Sequence, residues 1–244
     1  MDAHDHQQGD RTHLVQVDLE AMLSSQGPEA ARKTFRAWLD EIDDELVGGA
    51  LLVSESLPRV TRAFLTADRG CIDDVRALVS DVGERCRRVE EQGFHLLARE
   101  APVSGDLRRL VAILRLVTAV ERSATLLRHV AESLERFDPR LLPADLRRPV
   151  EELGARCATV FRAGLDAWRQ RDGLAVNEVR QLDEAVDHLR QKVLELAETW
   201  LEEPAELLLL GLLGRCYERI ADHGVAFAQD ATFAVTGERV DASR

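Results

Sequence analysis

The most informative stretch of the sequence is Tyr217-Glu218-Arg219-Ile220-Ala221-Asp222-His223. Glu218 and Asp222 are four residues apart, so on a helix both carboxylates project from one face. The apolar run 207–213 precedes them and indicates that the helix is largely buried. A related stretch near the middle of the chain, 121–125, keeps Glu121 but has Thr125 in place of the second acid. The chain therefore contains two unequal copies of one pattern.

Apolar residues recur at helical spacing through most of the chain, and Pro, Gly and polar residues interrupt them. We predict a first helix from Pro28 that Gly48, Gly49 and Pro58 could bend, and five more at about 72–99, 106–136, 144–171, 174–201 and 204–235. Asp106 is expected near the N-cap of the third helix and Gly237 at the C-cap of the last. The segment 137–143 between the third and fourth helices reads as a linker.

The two halves of the chain echo each other. Pro102 and Pro204 are 102 residues apart, and Glu121 and Glu218 are 97 residues apart. A repeat of this length predicts an all-α fold of two tandem antiparallel three-helix bundles. We expect the bundles at 29–138 and 143–237, after a flexible N-terminal segment, 1–28, in which a short helix at about 15–23 is an alternative.

Composition and charge exclude several classes of protein. The net charge of −12 argues against binding to nucleic acid, because no basic surplus offsets phosphate repulsion. Met1 to Asp10 lacks the pattern of a secretory signal, and the longest apolar run is too short to span a bilayer. The four scattered cysteines indicate reduced, mostly buried thiols, and the three tryptophans are expected in the core. We therefore expect a cytoplasmic protein without membrane insertion.

Carboxylates are the candidate functional groups. In the fifth helix Asp183 and Asp187 repeat the spacing of Glu218 and Asp222, and antiparallel neighbours could bring the four together. Four oxygen donors around one cavity suit Mg²⁺, Mn²⁺ or iron. Gly211 and Gly214, on the face of the sixth helix that carries its two acids, would allow a neighbouring helix to approach closely. The alternative is that the acids form ion pairs on solvated faces, with partners Arg180, Arg190, Arg215 and Arg219.

Sequence motifs resemble those of one known family. Residues 102–108, followed by Glu121 and Arg122, resemble the P-V-A-x-D-L-R…E-R-x-G-D signature of the PhoU phosphate-signalling regulators. Residues 213–223 and 235–238 resemble the second E-R-x-x-D-H repeat of that family. The resemblance covers about 35–238 and implies two tandem three-helix bundles, as the internal repeat predicts.

The resemblance implies a metal cluster held by acids of each repeat. The second repeat keeps all four, namely Asp183, Asp187, Glu218 and Asp222. In the first repeat we expect the two acid positions of the second helix to fall on Val79 and Gly83, so that only Glu121 survives. We therefore expect a divalent metal or iron cluster in the second repeat only, with Glu121 paired to Arg122, Arg128 or a neighbouring helix.

The resemblance also implies a function. It predicts a cytoplasmic, non-enzymatic negative regulator of phosphate uptake that bridges the ATPase subunit of a phosphate importer and a sensor histidine kinase, and homodimerisation is plausible. Two alternatives stay open: a diverged scaffold that serves another transporter or kinase, and a carboxylate-bridged metal enzyme. Against the enzyme, neither Asp183 nor Glu218 is followed by a histidine three residues on, as di-iron bundles require.

Overall fold

The computed structural model describes residues 28–100 and 104–240, so the predicted N-terminal segment and its short helix lie outside the described residues. The described chain is built from helices, and no strand occurs in it. Two single 3-10 turns, Ser133–Glu135 and Pro139–Leu141, lie between the third and fourth helices. The helices are α1 (Pro28–Thr66), α2 (Cys71–Glu100), α3 (Ser104–Glu132), α4 (Ala144–Gln170), α5 (Val176–Trp200) and α6 (Pro204–Thr236).

The predicted boundaries agree with these helices to within a few residues. Helix α1 continues through Gly48, Gly49 and Pro58, where the sequence predicted possible bends. Helix α3 begins at Ser104, so Asp106 lies in its first turn and not at its N-cap. Gly237 is the predicted C-cap of α6: its φ is 83°, and its N–H donates to the Phe233 carbonyl.

The chain divides into two compact units, Met1–Glu41 and Ile42–Arg244. The second unit holds both three-helix bundles. The remainder of α1, with α2 and α3, forms the first bundle, and α4, α5 and α6 form the second. Apolar stripes at helical spacing drive the packing, as in α1, where the buried stripe includes Ile42, Leu46, Ala50, Val53, Leu57, Val60 and Phe64. The all-α, tandem-bundle prediction is confirmed.

Helices α4 and α6 approach each other backbone to backbone. A Cβ on Gly164 would overlap the carbonyl oxygen of Gly224, and a Cβ on Gly224 would lie 2.7 Å from Cα of Phe161. Phe161 and Phe227 then pack edge to face, with ring centroids 5.9 Å apart. This contact brings α6 close to α4 and gives the second bundle its tight core.

Helix α6 also packs against the first bundle, so α3 and α6 lie side by side in the second unit. Polar contacts that cross between the bundles fix its orientation. They are Thr61 Oγ1 with Tyr217 Oη at 2.8 Å, Ser123 Oγ with His223 Nδ1 at 2.7 Å, and Arg115 Nη1 with Asp230 Oδ1 at 3.0 Å. All three are long-range contacts that hydrophobic periodicity could not predict.

Three of the four cysteines and Trp168 lie in the core, as predicted. Cys86, Cys157 and Cys216 are buried free thiols, and Cys71 is partly exposed. Trp168 is 5% exposed and donates its indole N–H to Asp43 at 2.7 Å. The prediction is wrong for Trp200, which is 48% exposed because it ends α5, beyond the reach of the bundle core. Among the described residues, no helix has both the length and the apolar character of a membrane span.

Candidate functional site

The four predicted acids lie on α5 and α6 of the second bundle. Asp183 and Asp187 come from α5, and Glu218 and Asp222 come from α6. Asp187 is exposed at the edge of the cluster, and the other three are partly buried. Burial raises the pKa of Asp183 to about 7, with further contributions from the charges of the other three acids and of Glu184. The structure therefore brings all four into electrostatic contact.

Asp183 has a buried carboxylate oxygen without a hydrogen bond. Its Oδ1 atom is buried and has no hydrogen-bond partner within the described part of the chain. A buried carboxylate oxygen without a donor is costly, since it loses water and gains nothing in exchange. The carboxylate of Asp222 is destabilised in a similar way. Burial and the charges of Glu218 and Asp187 raise its pKa, and the charge of Arg219 partly offsets this.

Arginines already neutralise two of the acids. Glu218 forms an ion pair with Arg215, one turn before it on α6, and Arg190 Nε of α5 lies 3.2 Å from Glu218 Oε2. The second contact is outside hydrogen-bond geometry and leaves both atoms without a hydrogen bond in the described residues. Asp222 Oδ2 accepts from Arg219 at 3.3 Å. The ion-pair alternative therefore describes Glu218 and Asp222, although Glu218 is not solvated, with a side chain 13% exposed.

Gly214 makes room for one of these arginines. A Cβ at this position would lie 3.2 Å from Cγ of Arg190, so the missing side chain lets Arg190 cross from α5 towards Glu218. Gly211 has no such role, because a Cβ there would lie 3.8 Å from Cδ1 of Leu194, an ordinary contact. The sequence predicted a close helix approach at these glycines, but the closest approach in this bundle is at Gly164 and Gly224 instead.

The donor set fits a hard cation in its chemistry. Four carboxylates with mutual repulsion and an unpartnered buried oxygen are what a divalent ion would stabilise. The positions of the side chains do not form a ready site, however. Among the described residues, no group of three or more His, Cys, Asp or Glu side chains is placed to hold a metal ion. The guanidinium groups of Arg190 and Arg215 contact the Glu218 carboxylate. Coordination of a cation by all four acids would therefore require Glu218 to exchange these contacts for the cation.

The first bundle has an arginine at the corresponding place. Counted back from Pro102, Asp81 and Arg85 stand 21 and 17 residues before the proline, as the two α5 aspartates stand before Pro204. The expectation that these positions fall on Val79 and Gly83 is therefore wrong. Position 81 keeps an acid, and position 85 replaces an acid by a base.

Arg85 is drawn into the first bundle by Glu45 of α1. Glu45 Oε2 accepts from Arg85 Nη1 at 3.2 Å and from Arg88 Nη2 at 2.9 Å. Asp81 lies 3.9 Å from Arg85 Nε. Gly48 leaves the space that the guanidinium uses, since a Cβ there would lie 3.0 Å from Arg85 Nη1. A cation of the chain itself thus occupies this part of the first bundle.

Glu121, the surviving acid of the first repeat, is exposed on α3. Thr125, which replaces the second acid, donates its hydroxyl to the Glu121 carbonyl at 3.1 Å. Arg128, an expected partner of Glu121, lies 3.9 Å from Glu132 instead, one turn further along the helix.

Sequence reasoning favoured a structural role for His223 but did not identify its partner, Ser123. Burial, together with the charges of Arg219 and Arg122, lowers the pKa of His223 to about 4, so the imidazole is neutral at pH 7. Ser123 donates its single hydroxyl proton to the Ala119 carbonyl at 2.7 Å, and His223 Nδ1 is therefore the donor to Ser123 Oγ. The signal available in the sequence was the position of His223 inside an otherwise apolar stretch of α6.

Comparison with known proteins gives the same repeat. The family model of the PhoU domain matches this chain twice, over residues 49–134 and 150–231. A crystal structure of PhoU from Pseudomonas aeruginosa superimposes with a TM-score of 0.77 at 24% identity, covering 84% of this chain and 100% of that chain. The phosphate transport system regulatory protein PhoU from Streptococcus pneumoniae gives a TM-score of 0.75 at 18% identity, over 85% and 99% of the two chains. Both likenesses concern the fold.

Curated relatives are similar over almost their whole length. The phosphate-specific transport system accessory protein PhoU homolog 1 of Mycobacterium leprae is 31% identical over 209 residues, which cover 84% of this chain and 94% of that protein. Homolog 2 of Mycobacterium tuberculosis is 29% identical, over 84% and 98%. With two domain matches in tandem and relatives that align from end to end, this chain belongs to the PhoU family.

Proposed function

We propose that this protein is a non-enzymatic accessory regulator of phosphate transport. The observation that carries the proposal is the double PhoU-domain match, together with relatives named as accessory proteins of phosphate-specific transport. The geometry is consistent with this role, because arginines already pair with Glu218 and Asp222, the two α6 acids of the cluster. Long amphipathic helices offer broad faces for docking to partner proteins.

The finer proposal is a negative regulator that works in the cytoplasm. It would bridge the ATPase subunit of a phosphate importer and a sensor histidine kinase, hold the kinase in its repressing state when phosphate is plentiful, and act as a homodimer without binding nucleic acid. Deletion of the gene tests this: the phosphate-starvation response should become active at high phosphate. An unchanged response at all phosphate levels would rule the proposal out.

A diverged scaffold is the second candidate, and the first bundle supports it. Arg85 and Thr125 stand where the family pattern has acids, so this bundle differs in charge from the pattern. Such a protein would keep the fold and serve another transporter or kinase. Complementation separates the two roles, because a diverged scaffold would not restore phosphate control to a strain that lacks its own PhoU.

We also propose that Asp183, Asp187, Glu218 and Asp222 hold a divalent metal or an iron cluster in the second bundle only. The support is the chemistry of the donor set and the orphaned oxygen of Asp183. Once bound, the ion would take over the charge neutralisation that Arg190 and Arg215 supply to Glu218. Elemental analysis of the purified protein is the test, beside Asp222→Ala and, as a matched control in the first bundle, Glu121→Ala. Metal should be lost from the first variant alone; unchanged content in Asp222→Ala would refute the assignment.

A further inference from the structure

A cavity of about 510 Å³ opens between the end of α1 and the beginning of α4, and none of the four clustered acids lines it. Its charged lining consists of Arg62 from α1 and of Arg147, Arg148 and Glu151 from α4. Three guanidinium groups against one carboxylate make this a basic site. In a chain of net charge −12, such a local surplus is not a property of the surface in general.

The arginines of this basic cavity differ in what holds them. Arg147 donates to the Leu65 carbonyl at 3.1 Å, which anchors it at the end of α1. Arg62 and Arg148 are exposed, and neither guanidinium forms an ion pair with any residue that the structure describes. Two cations are thus directed to one cavity without a counter-ion from the described chain. Guanidinium groups in this state favour phosphate or carboxylate ligands, which they bind by paired hydrogen bonds.

A second cavity is also lined by arginines, but there an acid of the chain neutralises one of them. It measures about 260 Å³ and is lined by Arg108, Arg109 and Arg171. Asp43 lies in the same wall, 2.5 Å from Arg109 Nη2, and it also accepts the indole N–H of Trp168. The protein therefore supplies its own anion there. The larger cavity has no equivalent contact among the described residues, because Glu151 forms no ion pair with its arginines.

The lining restricts the ligand further. The remaining wall includes Pro58, Leu65, Ala144 and Ala155, and no aromatic side chain is among the described lining residues. A nucleobase would find nothing to stack on. The hydroxyls of Thr61 and Thr66 already donate to backbone carbonyls of α1, which leaves the guanidinium groups as the available donors. The volume is that of a small-molecule site, and a single phosphate ion would fill only part of it.

We propose that this basic cavity binds a condensed inorganic phosphate, such as pyrophosphate or a short polyphosphate chain, with Arg62 and Arg148 as ligands and Arg147 as a fixed third cation. Successive phosphate groups would satisfy the separate guanidinium groups, and the aliphatic wall would strengthen each contact by limiting solvent. The inference does not depend on the proposed regulatory role, because it concerns binding to the purified chain.

Calorimetric titration of the full chain with tripolyphosphate, pyrophosphate, inorganic phosphate and ATP tests the proposal. We expect saturable 1:1 binding of tripolyphosphate, tighter than that of inorganic phosphate. It should weaken at least about tenfold between about 20 and about 200 mM salt. The double variant Arg62→Gln, Arg148→Gln should lose about tenfold for each guanidinium removed. The matched control is Arg87→Gln with Arg169→Gln, an equal charge change at exposed arginines outside the cavity, and it should bind as the wild type does.

Glu151→Gln is the control that separates a loss of tripolyphosphate binding through misfolding from a loss of the ligating arginines. Removing the one acid of the cavity should tighten tripolyphosphate binding about threefold or more, and a damaged fold cannot produce such a gain. The proposal is overturned if the wild type binds neither tripolyphosphate nor pyrophosphate at low salt. Equal binding by the wild type and the Arg62, Arg148 double variant would overturn it as well, as would ATP binding that is tighter than tripolyphosphate binding.

Discussion

The two bundles neutralise the same region in opposite ways. In the first, Arg85 and Arg88 of α2 converge on Glu45, and the chain supplies its own cations. In the second, α5 places an acid at the position equivalent to Arg85, and Asp183 is left with a buried oxygen that nothing in the described chain satisfies. The first bundle pairs its acid with its own arginines, whereas the second bundle has an acid that a cation from outside the chain could neutralise.

The scaffold itself does not depend on the acids. Apolar stripes hold each bundle together on their own: Val82, Cys86 and Val89 are buried in α2, as are Val186, Leu189 and Val193 in α5. Charged residues beside these stripes can change sign while the helices keep their packing. The fold can therefore stay symmetric while the chemistry becomes asymmetric.

Of the substitutions proposed, one at a glycine between packed helices of one bundle should change the free energy of unfolding most. Gly224→Ala should destabilise the protein by about 3–5 kcal/mol, because the new methyl group would meet the backbone of α4 and not a side chain that can move. Gly49→Ala in the first bundle is the matched control, since its Cβ would meet Val120 Cγ1 at 3.4 Å, an ordinary contact. Its stability should change by no more than about 1 kcal/mol. Urea unfolding of both variants makes the measurement, and equal losses would show that both bundles pack alike.

The sequence predicted the scaffold well, because helix formation and burial follow from local patterns. The stripe from Ile42 to Phe64 and the caps at Gly237 are examples, and so is the projection of Glu218 and Asp222 from one face. It named Arg190, Arg215 and Arg219 as ion-pair partners, and all three reach the acids. It could not assign Arg190 to Glu218 or Arg85 to Glu45, because these long side chains cross to another helix. Nor could it pair Ser123 with His223, which are 100 residues apart in the chain.

A smaller effect is expected from the repulsion in the open cluster. With a chelator present, Asp183→Asn should stabilise the protein by about 1–2 kcal/mol at about pH 8, after allowance for partial exposure. The sign follows from its pKa, which is about 7 in the folded protein and so lies above the 3.8 that is usual for an aspartate. The folded state holds the proton more tightly, so wild-type stability falls as the pH rises through this window. At about pH 4 the wild-type carboxyl is protonated, and the gain should vanish.

Asp81→Asn is the control for this measurement in the first bundle. Its side chain is 55% exposed and lies near Arg85, so the substitution should change stability by less than about 0.5 kcal/mol, in the destabilising direction. Urea midpoints at the two pH values give both numbers. If Asp183→Asn destabilises the protein at high pH, the acids of the second bundle are not in conflict, and the contrast between the bundles fails.

The smallest change in stability is expected at the arginines that pair with Glu45 in the first bundle. Arg85→Gln should cost about 0.5–1 kcal/mol, because Glu45 keeps Arg88 at 2.9 Å, and the loss should shrink in high salt. Arg88→Gln alone should cost no more, since Arg85 then remains. The double variant should cost more than the sum of the two, because the half-buried Glu45 carboxylate then has neither cation. Additive losses in this cycle would mean that the two arginines act independently, and that the first bundle does not replace an outside cation with its own.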